Sequence, residues 1–324
     1  MLEKVLAFID RHESFILTTH DPADADGLGA ELVFACILKS RGKTFSIINA
    51  SPVPALFQFM DSEGRIEQWD AAKHGDLPGR SALIIVDTSD EYIIGCMRDL
   101  IDKVRETLVI DHHEPKPFAT LSGIIESGAG STCELIVEIA ALAGVEIDHY
   151  TALAAYTGIV YDTGFFAYSK TSLQTFKSAL KVLEQGVEPH HVYQQLMENA
   201  TTGALLLQKQ VLSTLELHAG GRVAVQVLRK EDLEVTGAHF EDAESFINIP
   251  LRVKDVEVSI LVKETTEGKI RCSLRSKGKV NVSKIAQTFG GGGHVSAAGF
   301  RSILGVEDTL RVALETVEAQ LDKL

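Results

Sequence analysis

The first half of the chain contains three short apolar runs, separated by stretches in which apolar residues recur at helical spacing. The runs span residues 15–17, 82–86 and 108–110 and consist of Phe, Ile, Leu, Val and Ala. Such runs are typical of strands that are buried on both faces, as in parallel sheets covered by helices. With a fourth strand candidate at residues 44–48, they predict an α/β fold with a doubly wound, mostly parallel sheet.

Imidazole and carboxylate side chains follow each of the three runs. These side chains, with one that follows a helix-like run at residues 150–160, are His20, Asp24, Asp26, Asp87, Asp111, His112, His113 and Asp162. Parallel strands align their carboxyl ends, where open α/β sheets bind ligands, so we expect these distant residues to meet there. Crowded carboxylates repel each other unless a cation lies between them, and His nitrogen and carboxylate oxygen are ligands of divalent metals. The pattern therefore predicts a metal site at this edge.

The turn that contains Asp24 and Asp26 also has a purely structural interpretation. It precedes a helix-like pattern that includes Leu32 and Leu38. Asp is a frequent N-cap residue, because its carboxylate accepts hydrogen bonds from the first free amides of a helix. The shared position of the ligand candidates at strand ends favours the metal site over a cap alone.

The length of 324 residues exceeds the usual size of one domain and predicts two. Residues 1–185 carry the alternating strand-like and helix-like runs, and residues 186–214 are expected to form a helical linker. Residues 215–324 contain further strand candidates, a hairpin signal at Thr265–Gly268 and a closing helix over residues 306–321. This last part is predicted to be a smaller mixed α/β domain.

A basic segment in the second domain contains a run of glycines. Residues 269–301 hold seven Lys and Arg and no acidic residue, whereas the rest of the chain holds 24 Lys and Arg against 45 Asp and Glu. Four glycines precede His294, and their bare backbone can approach a ligand and direct amides at anionic oxygens. The small residues from Val295 to Gly299 predict a helix start, which would favour a phosphate. His294 and Arg275 would add charged donors, so the segment predicts a small anionic ligand.

Composition excludes several classes of protein. The net charge of −14 argues against binding long duplex nucleic acid, and the sequence has no run of about 18 apolar residues that would predict a membrane span. Its four cysteines lie far apart, without Cys-x-x-Cys spacing, and are expected to be reduced thiols. The first residues lack an export pattern. We therefore expect a cytoplasmic protein.

Read in order, these motifs resemble those of the DHH/DHHA1 phosphoesterases. The matching positions are His20-x-x-x-Asp24-x-Asp26, Asp87, Asp111-His112-His113, Asp162-Thr163-Gly164 and Gly290 to His294. The resemblance covers both predicted domains and is strongest to the branch of nanoRNases and 3′-phosphoadenosine-5′-phosphate phosphatases. Five motifs in the same order are more specific than any one alone.

The resemblance implies two divalent metal ions, with Mn²⁺ expected and Mg²⁺ or Co²⁺ as alternatives. The implied ligands are His20 and Asp24 for the first ion, Asp26, His112 and Asp162 for the second, and Asp87 for both. His113 is expected to contact the scissile phosphate, and Asp111 to orient its neighbours. The positions that match substrate-binding residues of the family are Arg275, Gly291, Gly292, Gly293 and His294.

The implied activity is hydrolysis of short RNA oligonucleotides, including linear dinucleotides, to mononucleotides, and/or of 3′-phosphoadenosine-5′-phosphate to AMP. The expected partners are therefore short RNA and phosphorylated nucleotides. Three alternatives stay open: a cyclic-dinucleotide phosphodiesterase, a family II inorganic pyrophosphatase, which shares the first-domain motifs, and a non-catalytic nucleotide sensor. The oligomeric state also stays open, with a homodimer as one option.

Overall fold

The structure is a computed structural model that describes residues 1–114, 121, 123–293 and 295–322. The chain divides into two compact units, Met1–Glu198 and Asn199–Leu324. The predicted linker contributes one helix to each unit, and the three-part division of the chain stays a prediction. Among the described residues, no helix combines the length and the apolar character that a membrane span requires.

The first unit is built on a parallel sheet. Within the described residues, its strands are β1 (Ser14–Thr18), β2 (Thr44–Asn49), β3 (Ile66–Gln68), β4 (Ala82–Val86), β5 (Thr107–Asp111) and β6 (Gly123–Ile125). They lie in the order β3-β2-β1-β4-β5-β6, and every neighbouring pair is parallel. The connections change direction between β1 and β4, which is where doubly wound sheets open a crevice for a ligand. The predicted doubly wound sheet is confirmed.

Both faces of this sheet are covered. The helices of the unit are α1 (Leu2–Asp10), α2 (Ala25–Ser40), α3 (Ala71–His74), α4 (Thr132–Leu142), α5 (His149–Asp162), α6 (Leu173–Leu183) and α7 (Pro189–Met197). Leu17 and Ile84 belong to the core that includes residues of α2, α4 and α5, whereas Ile16 and Ile85 pack on the other face with Met97. Neighbouring residues of one strand point to opposite faces. Since both faces are covered, the apolar runs of these strands show no polar alternation.

The second unit has a mixed sheet. Its strands in the described part of the chain are β7 (Glu216–His218), β8 (Val223–Leu228), β9 (Val258–Glu264), β10 (Ile270–Ser276), β11 (Gly292–Gly293) and β12 (Ala297–Ser302). The order is β11-β12-β10-β9-β8-β7, with β8 and β9 parallel and the other pairs antiparallel. The accompanying helices are α8 (Thr202–Ser213), α9 (Lys230–Thr236), α10 (Val282–Thr288) and α11 (Val306–Leu321). The predicted mixed α/β architecture, the hairpin at Thr265–Gly268 and the closing helix are confirmed.

One sequence prediction in this unit is wrong. The small residues after the glycine run do not begin a helix; they lead into β12. Ala298 and Phe300 are buried and lie opposite Leu274 and Cys272 of β10, so the segment follows the two-residue period of a strand. Small size alone does not favour a helix where a neighbouring strand offers hydrogen bonds and an apolar surface.

Candidate metal centre

The turn after β1 serves both interpretations that the sequence left open. Asp24 is the N-cap of α2, and its Oδ1 accepts hydrogen bonds from the amides of Asp26 at 3.0 Å and Gly27 at 3.2 Å. The same Oδ1 lies 3.6 Å from His20 Nε2. The cap holds the carboxylate in one orientation, beside the imidazole that completes the turn.

Asp26 is fully buried and lies against the first turn of α4. Its Oδ2 accepts a hydrogen bond of 2.6 Å from the amide of Thr132, and its Oδ1 accepts one of 2.8 Å from the amide of Cys133. These amides belong to the positive end of a helix dipole, which favours a carboxylate. Asp26 is therefore oriented by a helix that lies more than a hundred residues further along the chain.

Asp87 lies between the two histidines that follow β1 and β5. Its Oδ2 lies 3.5 Å from His20 Nε2, and its Oδ1 lies 3.7 Å from His112 Nε2. Thr132 Oγ1 donates a hydrogen bond of 2.9 Å to the same Oδ1. The backbone of Asp87 has φ +63°, a left-handed conformation that non-glycine residues adopt uncommonly and that clusters at functional sites.

His112 is held in one tautomer. Its Nδ1 lies 3.2 Å from the carbonyl oxygen of Ala129, which only accepts, so Nδ1 carries the hydrogen and Nε2 of the neutral ring carries the lone pair. Nε2 is buried and lies 3.0 Å from Asp162 Oδ2, but it makes no hydrogen bond within the described residues. In the neutral ring, the Nε2 lone pair would face a cation bound among these carboxylates, as in a metal-ligating histidine whose second nitrogen is fixed.

Among the residues that the structure describes, three groups of side chains have ligand atoms that lie within 4.8 Å of one another. They are His20 with Asp24 and Asp87, Asp26 with His112 and Asp162, and Asp87 with His112 and His113. The structure thus brings together all six side chains predicted as ligands, and Asp87 belongs to two groups. Nitrogen and hard oxygen donors in two adjacent sets fit divalent cations, because a cation would remove the repulsion among four carboxylates.

The electrostatics of the site are those of crowded, buried carboxylates. Burial raises the pKa of Asp26 well above its usual range, and the charges of Asp87 and Asp162 raise it further. Burial by itself lowers a histidine pKa, but the adjacent carboxylates outweigh it and raise the pKa of His20 to about 11 and that of His112 to about 10. The raised pKa values of the aspartate and of the two histidines reflect an excess of negative charge, which favours any bound cation.

Asp111 and His113 form a contact of their own. Asp111 Oδ1 lies 2.8 Å from His113 Nδ1 and accepts a 3.0 Å hydrogen bond from the His113 amide. Burial alone would raise the pKa of Asp111, but these bonds hold the pKa at about 2, so the residue stays ionised. The His113 side chain is 38% exposed and lies at the edge of the cluster, whereas His112 is buried.

The predicted substrate-binding residues lie in the second unit. Arg275 is on β10, Gly291 precedes β11, and Gly292 and Gly293 form β11; His294 lies outside the described residues. Gly293 has φ +142°, and a Cβ there would lie 2.5 Å from the Ala298 Cα, so only glycine fits. Arg275, Gly292 and Gly293 are thus on two strands of one sheet, with Gly291 next to β11, and the role of these residues stays a prediction.

Sequence reasoning missed the groups that orient the ligands. They are the Thr132 hydroxyl, the amides of Thr132 and Cys133 and the carbonyl of Ala129. Ser131 is the N-cap of α4, whereas the Thr132 hydroxyl is turned to Asp87. The sequence signal for the role of Thr132 was that two hydroxyl residues stand side by side at a helix start, where a cap needs only one of them.

Two family models match the chain, one in each unit. Residues 14–159 match the DHH family N-terminal domain, and residues 220–323 match the DHHA1 domain. The two matches together cover more than half of the chain. They follow one another in the order that the resemblance of the motifs implies.

Similar proteins match over two thirds or more of this chain. A bifunctional oligoribonuclease and PAP phosphatase NrnA of Thermus thermophilus is 28% identical over 309 residues, covering 95% of this chain and 90% of the relative. A cyclic-di-AMP phosphodiesterase PdeA of Listeria monocytogenes is 30% identical over 225 residues, or 68% of this chain and 33% of the relative. The crystal structure of an exopolyphosphatase-related protein from Bacteroides fragilis superposes with a TM-score of 0.90 at 26% identity, covering 98% of this chain and 95% of that one.

Five of the six ligand side chains lie within the span of the DHH match, Asp162 lies three residues beyond it, and the glycine run lies within the span of the DHHA1 match. This chain belongs to the DHH/DHHA1 family of phosphoesterases.

Proposed function

We propose that this protein is a metal-dependent phosphoesterase that hydrolyses short RNA oligonucleotides, including linear dinucleotides, to mononucleotides and converts 3′-phosphoadenosine-5′-phosphate to AMP. The observation that carries the proposal is the pair of ligand groups that meet at Asp87. A relative of nearly the same length, named an oligoribonuclease and PAP phosphatase, supports this choice of substrates. Both substrates are phosphate esters of ribonucleotides, so one centre serves both.

The proposed cofactor is a pair of divalent metal ions, with Mn²⁺ preferred over Mg²⁺ and Co²⁺. His20 and Asp24 would hold one ion, Asp26, His112 and Asp162 the other, and Asp87 would contact both. Two such ions lower the pKa of a bound water and stabilise charge on the attacking and leaving oxygens of a phosphate displacement. Two imidazoles among carboxylates suit Mn²⁺ better than Mg²⁺, which prefers oxygen ligands and its own waters.

The remaining side chains of the cluster have supporting roles in this proposal. His113 is exposed enough to reach a phosphate oxygen, and Asp111 fixes the orientation of its ring through the 2.8 Å contact. Buried Asp111 stays ionised and keeps the His113 ring in this orientation. Arg275, Gly291, Gly292, Gly293 and His294 would hold a second phosphate or the terminal nucleotide.

A second candidate is cleavage of cyclic dinucleotides. The Listeria relative named a cyclic-di-AMP phosphodiesterase has the higher identity, although over a shorter stretch. A cyclic dinucleotide presents the same phosphodiester to the same ligands, so the metal centre does not discriminate between the two substrates. The difference has to come from substrate-binding residues that recognise a chain end.

One assay separates these candidates. The protein is stripped with a chelator, reloaded with Mn²⁺ and incubated with four substrates in parallel: a series of two- to five-nucleotide RNAs, 3′-phosphoadenosine-5′-phosphate, a cyclic dinucleotide and pyrophosphate. Ion-exchange chromatography measures mononucleotide and phosphate release. We expect the first two to be cleaved fastest. Hydrolysis of pyrophosphate alone would exclude the proposal, and tight nucleotide binding without any turnover would identify a sensor.

A further inference from the structure

Three cationic side chains form a row across neighbouring strands of the second unit. The register places Arg271 of β10 opposite Lys263 of β9 on one side and opposite Arg301 of β12 on the other. Directly opposed residues have Cβ atoms about 4.5–5.5 Å apart and lie on the same face of the sheet. Like charges in such positions destabilise strand pairing, so the row requires negative charge nearby.

The described residues compensate only one of the three charges. Glu244 Oε1 lies 2.9 Å from the Nζ of Lys263, which is 2% exposed, and the Phe240 ring lies within 5.3 Å of Lys263 Nζ and Arg271 Cζ. Within the part of the chain that the structure describes, Arg271 and Arg301 have no carboxylate at ion-pair distance. The row therefore carries three positive charges against one negative charge.

Other cations of the basic segment are differently placed. Lys269 pairs with Glu267 at 3.4 Å, Lys279 pairs with Glu257 at 2.6 Å, and Lys277 Nζ donates to two backbone carbonyls. Mixed-sign pairing of this kind is normal on a protein surface. Arg271 and Arg301 differ from these cations because they lie directly opposite each other, and repulsion between them has no structural benefit in the absence of a ligand.

The row lines a cavity of about 460 Å³ that belongs entirely to the second unit. Its other lining residues include Ser273, Gly290, Gly291 and Gly299, which offer a hydroxyl and accessible backbone. A volume of this size accommodates a nucleotide, because small-molecule sites span roughly 300–1,000 Å³. Guanidinium groups above a glycine-lined wall are suited to the oxygens of a phosphate.

We propose that this cavity is a phosphate-binding site in which Arg271 and Arg301 bind the same phosphate group. It is distinct from the predicted position of Arg275, which lies four residues further along β10 and hence roughly 13 Å away on the same face. The phosphate belongs either to a nucleotide further along a bound RNA strand or to a free mononucleotide. The first of these two sources rests on the proposed function. Lys263 anchors the row through Glu244 and leaves the two arginines to the ligand.

Binding to the metal-free protein tests the proposal without turnover. The full chain in excess chelator is titrated by calorimetry with AMP and with RNAs of two, three and five nucleotides, using wild type, R271Q, R301Q and the double variant. K284Q is the matched control, because Lys284 is an exposed cation of the same basic segment on α10. R271K and R301K retain the charge, and thermal melting confirms that each variant folds.

We expect R271Q and R301Q each to weaken binding about tenfold or more, with K284Q close to wild type and the lysine variants intermediate. For RNA, the double variant should also reduce the slope of log K against log salt by about 0.7, since a single strand contributes about 0.7 per phosphate contact and the two arginines bind one phosphate. If the variants lose affinity for AMP as well as for RNA, the cavity binds a free nucleotide. If they lose affinity only for the longer RNAs, the cavity binds a phosphate of the RNA strand.

Equal affinities of the wild type and the double variant for all four ligands would overturn the proposal. This outcome is independent of catalysis, because the Mn²⁺-loaded wild type is assayed separately for hydrolysis of the dinucleotide. Turnover without an effect of the arginines on binding would refute only the phosphate site. An effect of the arginines on AMP binding without turnover would refute only the proposed function.

Discussion

Thr132 Oγ1 donates a hydrogen bond of 2.9 Å to Asp87 Oδ1, although 45 residues separate the two in sequence. The backbone amide of the same threonine donates to Asp26 Oδ2 at 2.6 Å. One residue at the start of α4 therefore orients the carboxylate that follows β4 and another in the first turn of α2. Such outer contacts fix metal ligands before the metal arrives and commonly change metal affinity by about 10–100-fold when they are removed.

Replacing Thr132 with Val should weaken metal binding by about tenfold or more, because Val keeps the shape but leaves buried Asp87 Oδ1 without its donor. The metal-free protein should also lose about 1–3 kcal/mol of unfolding free energy. Titration of Mn²⁺ by calorimetry and urea denaturation measure the two effects. Thr132→Ser keeps the hydroxyl and is the control; equal losses in both variants would contradict a role for the hydrogen bond.

Asp87→Asn should abolish turnover of every substrate, because the amide cannot provide two anionic oxygens between the two ligand groups. Asn is chosen over Ala because it tolerates the left-handed backbone at φ +63°. In wild type, a chelator should lower the melting temperature, since metal at a hundred times its Kd adds about 2.7 kcal/mol of stability. A chelator effect of the same size in Asp87→Asn would show that the metal binds elsewhere.

Gly158→Ala should destabilise the first unit by about 1–3 kcal/mol, although Ala is the better helix former. A Cβ at Gly158 of α5 would lie 2.5 Å from Cys133 Sγ and 2.9 Å from the Ala25 carbonyl oxygen, so α2, α4 and α5 would have to move apart. Urea denaturation measures the loss. Gly79→Ala, whose Cβ meets none of the described atoms within 4 Å, should be nearly neutral. A Gly158→Ala variant as stable as wild type would contradict this close packing.

Glu31→Gln should stabilise the protein at alkaline pH and not at acidic pH. Burial raises the pKa of Glu31 from 4.5 to about 8, despite a 2.9 Å hydrogen bond from Asn49 Nδ2 to its Oε2. Between these values the unfolded chain loses a proton that the folded protein keeps, so wild-type stability falls by about 1.4 kcal/mol per pH unit. Melting temperatures at about pH 5 and pH 8.5 measure the difference. A difference in melting temperature between variant and wild type that is the same at both pH values would contradict the raised pKa of Glu31.

Arg275→Ala should raise the Michaelis constant for RNA about tenfold or more and change the turnover number less, because the side chain is proposed to bind a phosphate that does not react. Steady-state kinetics with a trinucleotide measure both constants. Arg275→Lys keeps the charge but loses the planar guanidinium, so its Michaelis constant should lie between those of the wild type and the Ala variant. An unchanged Michaelis constant for the Ala variant would exclude Arg275 from substrate binding.

Several elements were predictable because local sequence decides them. The runs at residues 82–86 and 108–110 are apolar on both faces and form β4 and β5, and the pattern over residues 306–321 matches the closing helix. The short strands β3 and β6 and the strand β12 carry no comparable signal. They are strands because a neighbouring strand supplies hydrogen bonds and register, which no local pattern records.

The sequence by itself determined the parallel sheet and the strand-end position of His20, Asp87 and His112, since buried strands need continuous apolar runs and their carboxyl ends share an edge. Only the tertiary structure decided which atoms orient those ligands: α4 brings the Thr132 hydroxyl and two amides to carboxylates far away in sequence. It also decided that Arg271 and Arg301 lie opposite each other, because register depends on strand pairing and not on composition.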